Sequence, residues 1–118
     1  MSELWQLPAT ELAQLVRTRK VSAREAAESA LKRLDAVNPT INAIVAHRPD
    51  LVREQADRVD RMVARGEDPG PLAGVLVTVK INTDQAGFAT TNGTRLQKDL
   101  VALANSPAVD NLGPRLLY

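Results

Sequence analysis

The run Val75-Leu76-Val77-Thr78-Val79-Lys80-Ile81 constrains this chain more than any other stretch. It is rich in β-branched residues and it alternates. Val75, Val77, Val79 and Ile81 fall on one face of an extended backbone, and Leu76, Thr78 and Lys80 on the other. A second short apolar run, Ile41 to His47, reads as a buried strand. Between the two, Pro49-Asp50 opens a helix in which Val52, Ala56, Val59 and Val63 line one side, and Gly66 follows Arg65 as a C′ residue. Strand, helix and strand in that order predict a βαβ unit with parallel strands.

Upstream, helical spacing dominates. Leu12, Leu15 and Val16 predict a short amphipathic helix over 10–20, with Pro8 suited to its first turn. Ser22 and Glu25 have the three-residue spacing of a capping box, and the helix behind them is predicted to end near Val37, before Asn38-Pro39. Ala27, Ala30, Leu31, Leu34 and Val37 form its apolar stripe, with Arg24, Glu28, Lys32 and Asp35 outward. Glu67 to Pro71 and Asn82 to Gly93 read as loops, and 96–104 is ambiguous. Ser106-Pro107 predicts a capped helix start that Gly113-Pro114 must stop. The expected fold class is α/β (α+β for this stretch by itself). N-terminal helices and the βαβ unit are expected to form a single small domain over 1–118.

Composition removes several function classes. Fifteen Lys and Arg face 14 Asp and Glu, a net charge of +1, so no long-range attraction recruits nucleic acid or an anionic membrane. Aromatics are 3% of the 118 residues, too few for base-stacking platforms. No cysteine is present, which excludes disulfides and thiolate chemistry. The N-terminus lacks the basic and apolar regions of a secretory signal, and no apolar run spans a bilayer. A cytoplasmic protein without cofactor or metal is expected. His47, the lone histidine, has no carboxylate at metal-site spacing.

Lys80 is the residue with chemistry to weigh. Held among apolar neighbours, a lysine loses hydration, and this favours the neutral amine that can act as a general base. The plainer reading places Lys80 at a sheet edge or strand end, snorkelling to water. The following loop, with Gly87, Thr90, Thr91, Asn92 and Gly93, could line a polar pocket or form a tight turn closed by hydroxyl-to-backbone bonds. It lacks the spacing of a phosphate loop. Of the serines, Ser22 and Ser106 suit helix caps, Ser29 lies within a helix, and Ser2 is terminal; no Gly-x-Ser-x-Gly elbow exists.

Gly70-Pro71-Leu72-Ala73-Gly74-Val75-Leu76-Val77-Thr78-Val79-Lys80 resembles the Pro-Leu-x-Gly-(Ile/Val)-Pro-(Val/Ile)-x-Val-Lys-Asp stretch of the amidase signature family. Gly87-Phe88-Ala89-Thr90-Thr91-Asn92-Gly93 resembles its Gly-x-x-Thr-Thr-x-Gly, and 106–112 its next helix start. The N-terminal half is similar as well, with Val-Ser at a helix cap and then Asn-Pro-x-Ile-Asn-Ala. The resemblance runs from Leu7 to about Leu112. Leu76 stands where the family has proline, and Ile81 where it has aspartate.

The resemblance implies hydrolysis of carboxamides by a Ser–cis-Ser–Lys triad. In it, neutral lysine draws a proton from the cis-serine, which relays it from the nucleophilic serine, and backbone N–H groups stabilise the oxyanion. Lys80 takes the lysine position. No Ser-Ser pair occurs in these 118 residues. The expectation is therefore a truncated, N-terminal portion that is inactive alone, with 113–118 a tail foreign to the family. Uncovered apolar faces would favour a homo-oligomer or pairing with an amidase-related protein. The competing expectation is a small self-associating scaffold or regulatory binding protein without chemistry. The substrate and its binding residues are not legible.

Overall fold

A computed structural model describes residues 3–112. Its internal contacts divide these residues into two units, 3–76 and 77–112. The tail 113–118 and the expected helix stop at Gly113-Pro114 lie outside the described residues, as does Ser2.

The first unit is helical. A 3₁₀ turn, Leu4–Gln6, leads into α1 (Ala9–Arg17), α2 (Ala23–Ile41) and α3 (Pro49–Ala64). Pro8 occupies the N-cap of α1, one residue before the helical turn it was expected to start. α1 ends in a Schellman arrangement: Arg19 N–H donates to Val16 O (3.1 Å) and Lys20 N–H to Leu15 O (2.9 Å). Arg19 holds the left-handed position there at φ 61°. Its guanidinium then donates to Val63 O (2.6 Å) and Ala64 O (3.1 Å), carbonyls in the last turn of α3. α3 itself closes as its pattern predicts, with Gly66 N–H on Val63 O (3.1 Å) and Glu67 N–H on Met62 O (2.9 Å).

The N-terminus of α2 is capped from two sides. Ser22 Oγ accepts from Glu25 N–H (3.0 Å), and Glu25 Oε2 accepts from Ser22 N–H (2.8 Å). The two N–H groups that box leaves open, on Ala23 and Arg24, donate to the carboxylate of Asp60 in α3 at 2.7 and 3.0 Å. Beneath these polar contacts lies the core: Val16, Ala23, Ala27, Leu31, Val52, Ala56, Val59 and Ala73, with Val63 and Leu76 packed against it. Alanines at the α2–α3 contact let the two backbones approach closely. Arg24 and Glu28, expected to face outward, instead bridge to α3: Arg24 pairs with Asp57 (2.9 Å) and Glu28 with Arg53 (2.8 Å).

Two expectations fail here. α2 does not stop near Val37; it runs through Pro39 to Ile41 and ends at Asn42, which is left-handed at φ 49°. Proline removes one backbone donor, which the last helical turn tolerates because Asn42 N–H still reaches Asn38 O (2.7 Å). Nor is 41–47 a buried strand. The Asn38 amide brackets Ile44, donating to its carbonyl (2.8 Å) and accepting from its N–H (2.9 Å), so Ile44's ladder groups are already used. Ile41 and Val45 are 61% and 66% exposed.

The second unit has little regular structure. Among the described residues no β-strand forms, and the βαβ unit is absent. Burial alternates only from Val77 to Ile81, with Val77, Val79 and Ile81 half-buried and Thr78 and Lys80 exposed; Leu76, expected on the outer face, packs against the core, and no ladder accompanies the run. Alternation records which face meets the core; a strand also needs a neighbour for its N–H and C=O groups. The ambiguous 96–104 segment is not helical. It returns antiparallel to 86–90, through Gly87 N–H to Ala102 O (3.0 Å), Ala102 N–H to Phe88 O (3.0 Å) and Thr90 N–H to Leu100 O (2.9 Å), with an isolated bridge between Ala89 and Val101. α4 (Pro107–Leu112) follows, capped by Ser106 Oγ on Val109 N–H (3.3 Å).

Candidate active site around Lys80

Lys80 closes the alternating run at an exposed position. Its carbonyl accepts from Thr83 N–H (2.9 Å), so the backbone turns immediately after it. Lys80 lies at no sheet edge, because no strand forms among the described residues.

Asp84, immediately behind that turn, belongs to no sequence motif, yet it joins three parts of the unit. Its Oδ1 accepts from the Thr90 hydroxyl at 2.6 Å, a distance typical of a hydroxyl on a carboxylate. Its carbonyl accepts from Ser106 N–H (2.9 Å), where α4 begins. Asn105 adds a parallel tie, accepting from Ala86 N–H (2.7 Å) and donating to Asp110 (3.1 Å). Thr90 is buried, so its hydroxyl depends on that partner. An aspartate shortly ahead of Ala-Gly is turn chemistry; that signal was present, but the partner across the loop was not legible.

The rest of the loop forms turns. Thr91 Oγ1 accepts from Gly93 N–H (3.1 Å), and Thr94 N–H donates to Thr91 O (2.9 Å). No nucleophile is evident among the serines with described surroundings. Ser22 and Ser106 accept from backbone N–H groups at their caps, and Ser29 Oγ accepts from Trp5 N–H (3.2 Å). His47 is exposed on the connection into α3. An open groove in the first unit, bounded by Leu4, Glu28, Ser29, Lys32 and Arg33, mixes both charges around that engaged serine.

Comparison with known proteins adds the missing context. The Amidase family profile matches residues 25–114. An acylamidase of Rhodococcus erythropolis is 42% identical over 106 residues, which make up 90% of this chain and 22% of that protein. The indoleacetamide hydrolase of Bradyrhizobium diazoefficiens is 37% identical over 109 residues, 92% of this chain and 21% of that one. A bacterial aryl acylamidase of the amidase signature enzymes superposes with a TM-score of 0.84 at 30% identity, covering 94% of this chain and 24% of the solved one. The chain thus spans less than a quarter of the length of each of these relatives.

Proposed function

The chain belongs to the amidase family, and from that premise we propose that it supplies the lysine-bearing N-terminal segment of a carboxamide hydrolase. The reading is supported by one observation: the stretches 70–80 and 87–93, which resemble family motifs, lie inside the matched range 25–114, and by that resemblance the proposal gives Lys80 the family lysine's role. In the proposed reaction the neutral Lys80 amine takes a proton from one serine hydroxyl, which takes one from a second. The second serine's oxygen attacks the amide carbon. The C–N bond breaks, the amine leaves with the returned proton, and water splits the acyl-enzyme to the acid. In this proposal both serines are supplied by further chain, since Ser22, Ser29 and Ser106 are already engaged by backbone N–H groups. Such chain would also have to remove Lys80 from water, because its side chain is exposed here.

The test is a hybrid in which this chain replaces the corresponding segment of the Rhodococcus erythropolis acylamidase. Ammonia release from aryl carboxamides is expected from the hybrid, and neither from the 118 residues alone nor from the hybrid carrying Lys80→Ala. A Lys80→Ala hybrid as active as its parent would remove Lys80 from the mechanism.

The same proposal places the hydrolase in the cytoplasm and expects the isolated chain to self-associate. Leu96 and Leu103 are each 98% exposed, and apolar side chains so placed seek cover. Light scattering across a concentration series is expected to give masses above 12.8 kDa; a strict monomer would end that expectation.

A further inference from the structure

We propose that Asp84 is a positioning residue for Lys80, acting through the Thr90 hydroxyl. The proposal rests on the reading of Lys80 as proton acceptor and adds what holds it in place. Lys80 lies at the end of a run that has no ladder of its own among the described residues. Backbone without a ladder is held by whatever fixes its ends. Downstream, the Lys80–Thr83 turn delivers the chain directly to Asp84.

Asp84 is anchored twice in different directions: by its carboxylate to Thr90 (2.6 Å) and by its carbonyl to Ser106 N–H (2.9 Å). Thr90 is itself fixed, because its N–H donates to Leu100 O (2.9 Å). Next to Asp84, Gln85 is buried and its carbonyl accepts from Phe88 N–H (3.0 Å). The stretch from Lys80 to Asp84 therefore ends on an exposed residue tied by two hydrogen bonds. The Thr90 hydroxyl is buried and donates to a carboxylate, so its loss leaves an acceptor without its strongest donor. A side chain that must meet a serine hydroxyl within hydrogen-bond reach is sensitive to displacement of this backbone.

Two arms test this. In the 118-residue chain, ¹⁵N relaxation is expected to show that Thr90→Val lowers the order of the amides from Lys80 to Asp84. Thr90→Ser should keep that order, and the amide shifts of α2 and α3 should not move in either variant. Unchanged order in Thr90→Val would overturn the proposal whatever the catalytic result. In the acylamidase hybrid, Thr90→Val is expected to lower kcat by roughly a hundredfold, the scale of an ångström misplacement, with KM little changed and Thr90→Ser restoring the rate. Asp84→Asn, which keeps an acceptor oxygen, should fall between the two. An inactive Lys80→Ala hybrid beside a fully active Thr90→Val hybrid would sink the role of Asp84 and leave that of Lys80 standing. An active Lys80→Ala hybrid would instead sink the reading on which both rest.

Discussion

An ideal Cβ placed on Gly74 would lie 2.8 Å from Val16 Cγ2 and 3.4 Å from Ala23 Cβ. Val16 and Ala23 are both core residues, so neither can move aside cheaply. Gly74 also has φ +74°, where a side chain is strained regardless of space. Gly74→Ala is therefore expected to cost about 2–4 kcal/mol, combining left-handed strain with overpacking. Gly66 provides the control. It has a similar φ of +75° with nothing within 4 Å of its ideal Cβ, so Gly66→Ala should cost about 1 kcal/mol, from backbone strain alone. Urea midpoints followed by circular dichroism will read both; equal losses would show that Gly74 is not crowded. The need for glycine after Leu72-Ala73 was visible only as motif. The crowding that explains it comes from α1 and the start of α2, distant in sequence.

Helix α2 shows what local pattern captures in an element and what it misses. Ser22 and Glu25 are three residues apart, and their box needs nothing beyond the turn that contains it. Ser22→Ala should lower stability by about 1 kcal/mol. Asp60 had no such signal, because its partners are backbone N–H groups 36 and 37 residues distant. Asp60→Ala leaves two N–H groups without their acceptor and is expected to cost more, about 2–3 kcal/mol; thermal melts of the two variants should rank them in that order. The Arg24–Glu28–Arg53–Asp57 cluster predicts a pH dependence. Arg53 first and Arg24 second lower the Glu28 carboxyl below its ordinary 4.5. A depressed folded-state value means that this contribution is complete above about pH 4.5 and is lost as pH falls through the lowered value. The side chains are 35–44% exposed, so the effect is small and salt-sensitive. Glu28→Gln should flatten the acid limb of melting temperature between pH 3 and 5 at low salt (roughly the carboxylate range); an unchanged limb would exclude Glu28 as its source.

At the scale of the whole chain, burial is uneven. The hydrophobic cluster lies entirely within 3–76, whereas 77–112 has turns, side-chain anchors and the short α4 with its buried Val109. Native-state hydrogen exchange should accordingly find the amides of α2 and α3 the slowest and those of 86–102 much faster. Uniform protection would contradict this picture. No helix among the described residues is long and apolar enough to cross a membrane.

Periodicity and cap chemistry are local, so α2's start, α3 with its Gly66 ending, and the Ser106 cap could be read directly from neighbouring residues. Lys80 stood out for the same reason, as one charge in an apolar run. The β-branched stretch indicated alternating burial, which holds from Val77 to Ile81 and fails at Leu76, packed against the core. Whether it becomes a strand depends on a partner that no local pattern encodes. Three-dimensional packing alone could bring Asp60 to α2, Arg19 to the end of α3, and Asp84 to Thr90. Each is a polar contact made by residues that the fold, and not the spacing, puts side by side.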